Sequence, residues 1–300
     1  MNEITLSDLH KGNFYHICTN GNECPPIMNS EEDFRVATNY LAITAWRLGV
    51  VILAYCLMSN HLHILIVCKD RMTAIRFIRT FKQLYSTYLM NTYGISKQFK
   101  GVDDCISLIS DVKYLRKCIS YILRNPLSAK ICDRLEDYRW SSYSCHFSSH
   151  SSSPSGLMVS GLRGRRKRSL LKTRMDLSGC PYIIDEKGFI KNESFIRHDI
   201  TEKAFMNSGR IFISYLGHSN DLQMEYDMSL KPLISASDSD MMATADKLAE
   251  SRFGKPLSTL NSSEKCAMLK NLYFNNKSSI PQLARILGLP RSMVRSLLSK

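Results

Sequence analysis

The chain has 300 residues, and its 40 lysines and arginines against 27 aspartates and glutamates give a formal net charge of +13. This balance favours a polyanionic partner, above all nucleic acid, although a merely basic protein would show the same excess. Ten cysteines without a C-x-x-C pair argue against a zinc ribbon, and the lack of a signal peptide argues against a disulfide framework. We therefore expect a protein of the reducing cytoplasm. Arg47 and Gly49 interrupt the apolar run 41–58, so we expect no membrane span.

Hydrophobic periodicity and turn signals predict four strands and three helices in the order β-α-β-β-α-β-α. The strands are expected at 14–19, 50–58, 61–67 and 104–109, and the helices at 30–48, 72–93 and about 111–124. Asn29 or Ser30 is expected to cap the first helix, and Asn125-Pro126 is expected to end the third. This order is typical of ferredoxin-like and RNA-recognition-like domains, an α+β fold with an antiparallel sheet and helices on one face.

The composition changes at Ser148. Residues 148–155 are almost all serine and predict a flexible linker, so we place a first domain at 1–147 and a Ser-rich and basic linker at 148–176. The basic run in this linker is most often a solvated tail, but it also suits a phosphate-binding arm formed by Arg163, Arg165 and Arg166. Residues 177–236 form a middle segment without a readable motif, and residues 237–300 predict a helical domain.

The end of the chain predicts two short helices around the turn Gly288-Leu289-Pro290. This spacing fits a C-terminal helix-turn-helix module, in which Arg291, Ser292 and Arg295 lie on the exposed face of the recognition helix. Two short helices around such a turn also occur in ordinary helical domains. The charge of the chain favours DNA binding.

Residues 55–68, YCLMSNHLHILIVC, are an apolar stretch that contains the pair His61 and His63. On a strand, residues i and i+2 point to the same face, so the two imidazoles are expected side by side. Two neutral histidines in this geometry form half of a metal site. The alternative is a pair of hydrogen-bonded core histidines, and the strand alone does not identify a metal.

Two further patterns bear on chemistry and on binding. In the helix 72–93, Arg76, Arg79 and Lys82 repeat every three residues, which indicates a solvated face or a phosphate-contacting ridge. In the helix after strand four, Tyr121 and Asn125 are one turn apart on one face. They could place an amide oxygen in a metal shell with a nucleophilic phenol beside it, or they could be a core aromatic and a helix-ending residue.

These motifs, in this order, resemble the HUH family of single-tyrosine DNA transposases, in particular its REP-associated branch. The strand with His61 and His63 resembles the family's His-hydrophobe-His motif. The segments YILRNPLSA from Tyr121 and DYRWSSY from Asp137 resemble its tyrosine helix and the stretch after it. The early segments YHICTNGN and FKG are also similar, so the resemblance spans about residues 12–146. The residues that follow FKG, 102–104, depart from the family, which often has further basic or aromatic residues there, and the insert after 148 has no counterpart.

By this resemblance His61 and His63 are metal ligands, Asn125 is the third ligand and Tyr121 is the nucleophile. The resemblance implies a Mg²⁺- or Mn²⁺-dependent endonuclease and strand transferase that acts on single-stranded or hairpin DNA through a 5′-phosphotyrosine intermediate. The C-terminal helix-turn-helix resembles one that some members append.

Two other classes of function stay open. One is a catalytically silent hairpin-DNA-binding regulator derived from a transposase. The other is a metal hydrolase in which water attacks, and it would need further carboxylate or histidine ligands near the histidine pair. A monomer and a homodimer are both compatible with the sequence.

Overall fold

The structure is a computed structural model that describes residues 5–11, 13–19, 26–96, 99, 104–148, 155–217, 238–274 and 280–298. The chain forms two compact units, Met1–Met224 and Glu225–Lys300. The main strands of the first unit are β1 (Phe14–Thr19), β2 (Val51–Leu57), β3 (Leu62–Val67) and β4 (Asp104–Ile109). Its helices are α1 (Glu31–Leu48), α2 (Arg71–Tyr93), α3 (Val112–Ser128), α4 (Gly164–Leu171), α5 (His198–Ala204) and α6 (Gly209–Gly217).

The four strands form one antiparallel sheet in the order β2-β3-β1-β4. Two crossover helices, α1 and α2, connect the strands, which confirms the predicted ferredoxin-like α+β fold. One extra residue, Leu53, interrupts the register between β2 and β3, because Ile52 pairs with Ile66 and Ala54 pairs with Leu65. This bulge shifts the side chains beyond it by one position, so Cys56 lies opposite His63.

The two faces of the sheet carry different helices. Since side chains alternate along a strand, Ile17 and Ile64 point to the apolar face that packs on α1 and α2. His16 and His63 point to the other face, where they contact Tyr121 of α3. The sequence predicted helices on one face. The two crossover helices do share a face, while α3 covers the opposite one.

The predicted helix boundaries are mostly confirmed. Ser30 caps α1 in a capping box with Asp33, and Gly49 ends it in a left-handed conformation with φ 63°. The predicted end of α3 was wrong, because the helix continues through Pro126 to Ser128. The amides of Ala129 and Ile131 bond the carbonyls of Asn125 and Pro126, so the last turn is completed despite the proline.

The segment 155–176, predicted as part of a flexible linker, is folded and packed against α1. The Asn39 side chain donates to the Gly188 carbonyl at 2.7 Å and accepts from the Ile190 amide at 2.8 Å. Arg35 donates to the carbonyls of Leu170 and Gly188. Apolar side chains after residue 155 share one core with those of the sheet, α1 and α2. They include Leu162, Leu171, Leu177, Ile184, Ile190 and Phe195. Most of the predicted flexible linker, residues 149–154, lies outside the described residues.

Residues that follow α3 in the chain also cover the edge of β2. The Leu57 amide donates to the Trp140 carbonyl at 2.9 Å, and the Arg197 amide donates to the Ile52 carbonyl at 2.9 Å. These bonds satisfy backbone groups that an edge strand would otherwise expose.

Helices α5 and α6 pack on α3. Two arginines of α3 reach the C-terminal ends of α5 and α6, where helix carbonyls lack intrahelical partners. Arg116 donates to the Ala204 carbonyl of α5, and Arg124 donates to the Leu216 carbonyl of α6. Residues up to 217 therefore belong to the unit that contains the sheet.

The second unit contains α7 (Asp238–Phe253), α8 (Ser262–Phe274), α9 (Ile280–Leu287) and α10 (Arg291–Leu298). Gly288 takes a φ of 63° in the turn between α9 and α10, at the position predicted for it. The four helices enclose a small apolar core that includes Ala245, Leu269, Leu272, Leu283, Leu287 and Val294. No helix in the described part of the chain is long and apolar enough to cross a membrane.

We predict that a truncated protein ending at residue 147 does not fold cooperatively, whereas one ending at residue 224 does. The shorter protein loses the apolar residues that cover α1 and the helices that cover α3. Urea denaturation followed by circular dichroism checks this prediction. A sigmoidal transition of equal midpoint for both proteins would show that residues 155–217 are dispensable for folding.

Candidate active site

The histidine pair lies at the start of β3. His63 is inside the strand, while His61, the first residue of the predicted strand, occupies the turn one residue before the observed strand. The Met58 amide donates to the His61 carbonyl at 2.8 Å and closes this turn. The two imidazoles lie 5.1 Å apart between ring centroids, with planes at 87°. The predicted proximity of the two side chains is therefore present.

Asn60 orients His61. Its side-chain oxygen, Oδ1, lies 2.7 Å from His61 Nδ1. An amide oxygen only accepts hydrogen bonds, so with this amide orientation Nδ1 carries the proton and Nε2 keeps its lone pair. A histidine that binds a metal commonly has its second ring nitrogen fixed in this way.

Both histidines favour the neutral state. Burial lowers the pKa of His61, and a hydrogen bond with Asn125 opposes this shift. Burial lowers the pKa of His63 well below its usual value, and the neighbouring His61 and His16 lower it further. Neutral imidazoles have lone pairs available for a metal ion.

Helix α3 brings Tyr121 to the same place. Its ring lies edge-on to His63 at a centroid distance of 5.1 Å and a plane angle of 85°. The amide nitrogen of Asn125, one turn later, donates to the Tyr121 carbonyl at 2.9 Å. This bond leaves the side-chain oxygen of Asn125 to accept a hydrogen bond from protonated His61 or to bind a metal. The structure thus brings together the four residues predicted as a site, His61, His63, Tyr121 and Asn125.

The residues present fit a divalent metal through two imidazoles and one amide oxygen. His63 Nδ1 is buried and has no hydrogen-bond partner among the described residues. Within the described residues, no group of three or more histidine, cysteine, aspartate or glutamate side chains could hold a metal ion. A metal here would depend on Asn125 as the third protein ligand.

Cysteines flank His63 on both neighbouring strands. Cys56 of β2 and Cys18 of β1 are its cross-strand partners. Burial raises the pKa of the Cys56 thiol, and contact with Cys105 together with burial raises that of Cys18. These thiols stay protonated at neutral pH and are therefore poor metal ligands.

The sequence reasoning missed His16. This residue is 1% exposed, and its ring stacks on His63 at 5.6 Å with planes at 25°. It also lies edge-on to Tyr121 at 6.1 Å. Since His16 and Cys18 share one face of β1, and Cys18 pairs with His63, the strand register could have revealed it.

Three tyrosines of α2 form hydrogen bonds away from the histidine pair. The Tyr85 hydroxyl donates to the Ile27 carbonyl, and Tyr88 and Tyr93 both donate to Asp33. Tyr85 and Tyr88 belong to the core between the sheet and α1, on the face opposite His63. Their hydroxyls are engaged away from the histidine pair.

The predicted DNA contacts have different environments. Lys82 is buried and forms a 2.7 Å ion pair with Asp104, so its charge is neutralised within the protein and the predicted phosphate contact is wrong. Arg76 and Arg79 are exposed on α2, and Arg163, Arg165 and Arg166 are exposed at α4. Arg291 is exposed at the start of α10, and Arg295 lies in the same helix, where its side chain is outside the described part.

Comparison with protein families finds a match for the part of the chain that contains the histidine pair. Residues 13–102 match the family described as Transposase IS200 like. The matched segment contains His16, His61 and His63, whereas Tyr121 and Asn125 lie beyond it.

Among solved structures, the chain is similar to one described as the REP-associated tyrosine transposase bound to a REP hairpin. The match has a TM-score of 0.38 and 14% identity, and it covers 48% of this chain and 83% of the other. No curated protein sequence matches the chain.

We predict that Asn60→Ala weakens Mn²⁺ binding by the full chain by about 10-fold to 100-fold, the usual cost of losing such an orienting partner. Asn60→Asp keeps the acceptor oxygen and should bind Mn²⁺ at least as tightly as the wild type. Free Mn²⁺ measured by electron paramagnetic resonance during a titration checks this. Asn91→Ala, on the exposed side of α2, is the matched control. Equal affinity in all four proteins would show that Asn60 does not orient a ligand.

Proposed function

We propose that the protein is a metal-dependent single-strand DNA endonuclease and strand transferase that acts through a 5′-phosphotyrosine intermediate. One observation carries the proposal: the Tyr121 ring, the two neutral imidazoles and the Asn125 amide meet at one point of the sheet. A DNA-binding regulator without activity would have no need of a phenol packed against two neutral histidines.

In this proposal His61, His63 and Asn125 hold a Mg²⁺ or Mn²⁺ ion. Such an ion, when bound, neutralises charge on the scissile phosphate. Asn60 holds the ring of His61, and His16 packs against His63 and Tyr121, so the site is pre-organised before DNA arrives.

Tyr121 supplies the nucleophile. Its hydroxyl oxygen attacks the phosphorus, a bond forms between this oxygen and phosphorus, and the bond from phosphorus to the 3′ oxygen breaks. The phenolic proton passes to solvent, and the departing 3′ oxygen takes a proton from solvent, so the net change is one P–O bond formed and one broken. The enzyme keeps the 5′ phosphate, and attack by a 3′ hydroxyl reverses the step and joins the strands. The phosphodiester energy is retained, so no nucleotide cofactor is required.

The proposed substrate is single-stranded or hairpin DNA. The net charge of +13 supports a polyanionic partner. Exposed arginines on α2, Arg76 and Arg79, are proposed contacts to DNA outside the cleaved phosphate, since α2 lies on the sheet face opposite His63. In the second unit, Arg291 and Arg295 of α10 are proposed contacts to a cognate duplex or hairpin. The mass of the full chain in solution distinguishes a monomer from a homodimer.

We predict that Tyr121→Phe abolishes the covalent DNA adduct while DNA affinity stays close to that of the wild type. The substitution removes the nucleophilic oxygen and keeps the packed ring. The measurement uses labelled hairpin oligonucleotides with Mn²⁺ on a denaturing gel, with Tyr85→Phe as control. An adduct formed by the Tyr121→Phe protein would remove Tyr121 from its proposed role, and loss of the adduct in the Tyr85→Phe protein alone would transfer that role.

The metal requirement gives a second prediction. His61→Ala and His63→Ala should each lose cleavage, and EDTA should stop cleavage by the wild type until Mg²⁺ or Mn²⁺ is restored. The rate of nicking of a single-stranded oligonucleotide is measured. Undiminished nicking in EDTA would mean that the histidines are core residues and do not bind a metal needed for cleavage.

The second unit is proposed to read DNA rather than to cut it. Removal of residues 237–300 should weaken binding to the cognate hairpin, while a short single strand is still cut. If Arg295 contacts a base, Arg295→Ala should lower the discrimination for the cognate base at that position by about 1–3 kcal/mol of binding free energy. If Arg295 contacts a phosphate, the substitution should weaken binding to all DNA sequences alike. Binding is compared at one salt concentration. Identical affinity and preference in the full and truncated proteins would leave the unit without a DNA-reading role.

A further inference from the structure

The most basic stretch of the first unit is held as a rigid helix. Residues 163–174 contain five exposed arginines and no acidic residue: Arg163, Arg165, Arg166, Arg168 and Arg174. Among the described residues, none of these arginines takes part in an ion pair. Their charges repel one another, and this repulsion is relieved by an external anion.

The fold fixes this stretch in one position. An isolated helix of eight residues is unstable in water, so α4 depends on its contacts with α1. Leu171 is fully buried there, and the Tyr40 hydroxyl donates to the Lys172 carbonyl at 2.7 Å. The Lys172 ammonium pairs with Glu32 at 3.1 Å. Lys172 also ends the helix with a φ of 51°, a conformation that residues with a Cβ disfavour.

The basic helix lies on the side of the sheet away from the candidate active site. It packs on α1, which covers the face of Ile17 and Ile64, whereas His63 and Tyr121 meet on the other face. A single strand bound at Tyr121 would therefore lie on the face of the sheet that α1 does not cover.

The helix geometry suits a groove with phosphates on both walls. At about 100° per residue, positions 166, 165 and 168 spread over about 160° of the exposed half of the helix, with position 165 in the middle. Duplex DNA offers two phosphate rows that flank each groove, whereas a single strand offers one row. Arginine is the side chain best suited to such phosphate contacts.

We propose that α4 binds the phosphate backbone of a second DNA segment, a duplex stem, while the single strand occupies the catalytic face. The inference deepens the proposed function by giving the transferase a separate duplex-holding surface. Binding there is independent of base sequence, because arginines that contact phosphates carry no sequence information.

Three proteins test the proposal, each a full chain that also carries Tyr121→Phe so that no DNA is cut. The first has no further change, the second has Arg165, Arg166 and Arg168 changed to glutamine, and the third has them changed to lysine. Glutamine and lysine are both good helix formers, and equal melting temperatures establish that α4 is retained. Fluorescence anisotropy measures the affinity for a short blunt-ended duplex from about 50 to about 200 mM salt.

The glutamine protein should bind the duplex more weakly. The plot of log affinity against log salt should become less steep, with the magnitude of its negative slope smaller by about 2 to 3, since each lost phosphate contact contributes about 0.9. The lysine protein should keep the slope. An unlabelled short single strand should not displace the duplex. An equal slope in the glutamine protein, or complete displacement by the single strand, overturns the proposal.

Binding of the same proteins to anionic phosphatidylserine vesicles is also measured. A glutamine protein that loses vesicle binding but keeps its duplex slope would mean that α4 is a membrane-binding surface, which also overturns the proposal. Covalent adduct formation by the wild type is measured separately on a single strand. A missing adduct with a reduced duplex slope contradicts the proposed function alone, and an adduct with an unchanged slope contradicts the duplex surface alone.

Discussion

The alternation of side chains along the two central strands determines where everything else in the first unit lies. Along β3, Ile64 and Ile66 point to one side of the sheet and His63 to the other. The apolar side receives α1 and α2, and their burial supplies the hydrophobic core. The opposite side carries two histidines, His16 and His63, and three cysteines, Cys18, Cys56 and Cys105. A shift of one residue in β3 would exchange the two sides and remove the site.

Helix α3 depends on residues far along the chain for its position. It lies between the sheet and the pair α5 and α6, and its two arginines bind the carbonyl ends of those helices. The partners of Arg116 and Arg124 are 88 and 92 residues away in sequence. The tyrosine-bearing helix is thus positioned by a part of the chain that carries none of the chemistry.

The elements formed by local signals could be predicted from the sequence, and the contacts between distant segments could not. The capping box at Ser30 and the glycine at 49 define α1 within a few residues, and the strand alternation places His61 and His63 together. By contrast, the bond from Asn39 to Gly188 spans 149 residues and leaves no trace in local periodicity. A Ser-rich stretch followed by arginines therefore suggests a linker, although the apolar residues after it complete the core.

The same distinction explains the two errors on single side chains. Lys82 is at helical spacing with Arg76 and Arg79, and only its proximity to Asp104 on β4 removes its charge from the surface. Pro126 indicates the end of a helix, and only the amides of Ala129 and Ile131 keep its last turn closed.

The close packing of the site has a mechanical consequence. His63 is 4% exposed and Tyr121 is 6% exposed, and their rings are in contact. The side chains of His61 and His63 come from β3 and the turn before it, whereas Tyr121 and Asn125 belong to α3. A displacement of α3 relative to β3 therefore changes the distances from the phenol and the amide to the imidazoles together. The bonds from Arg116 and Arg124 to the carbonyl ends of α5 and α6 resist such a displacement.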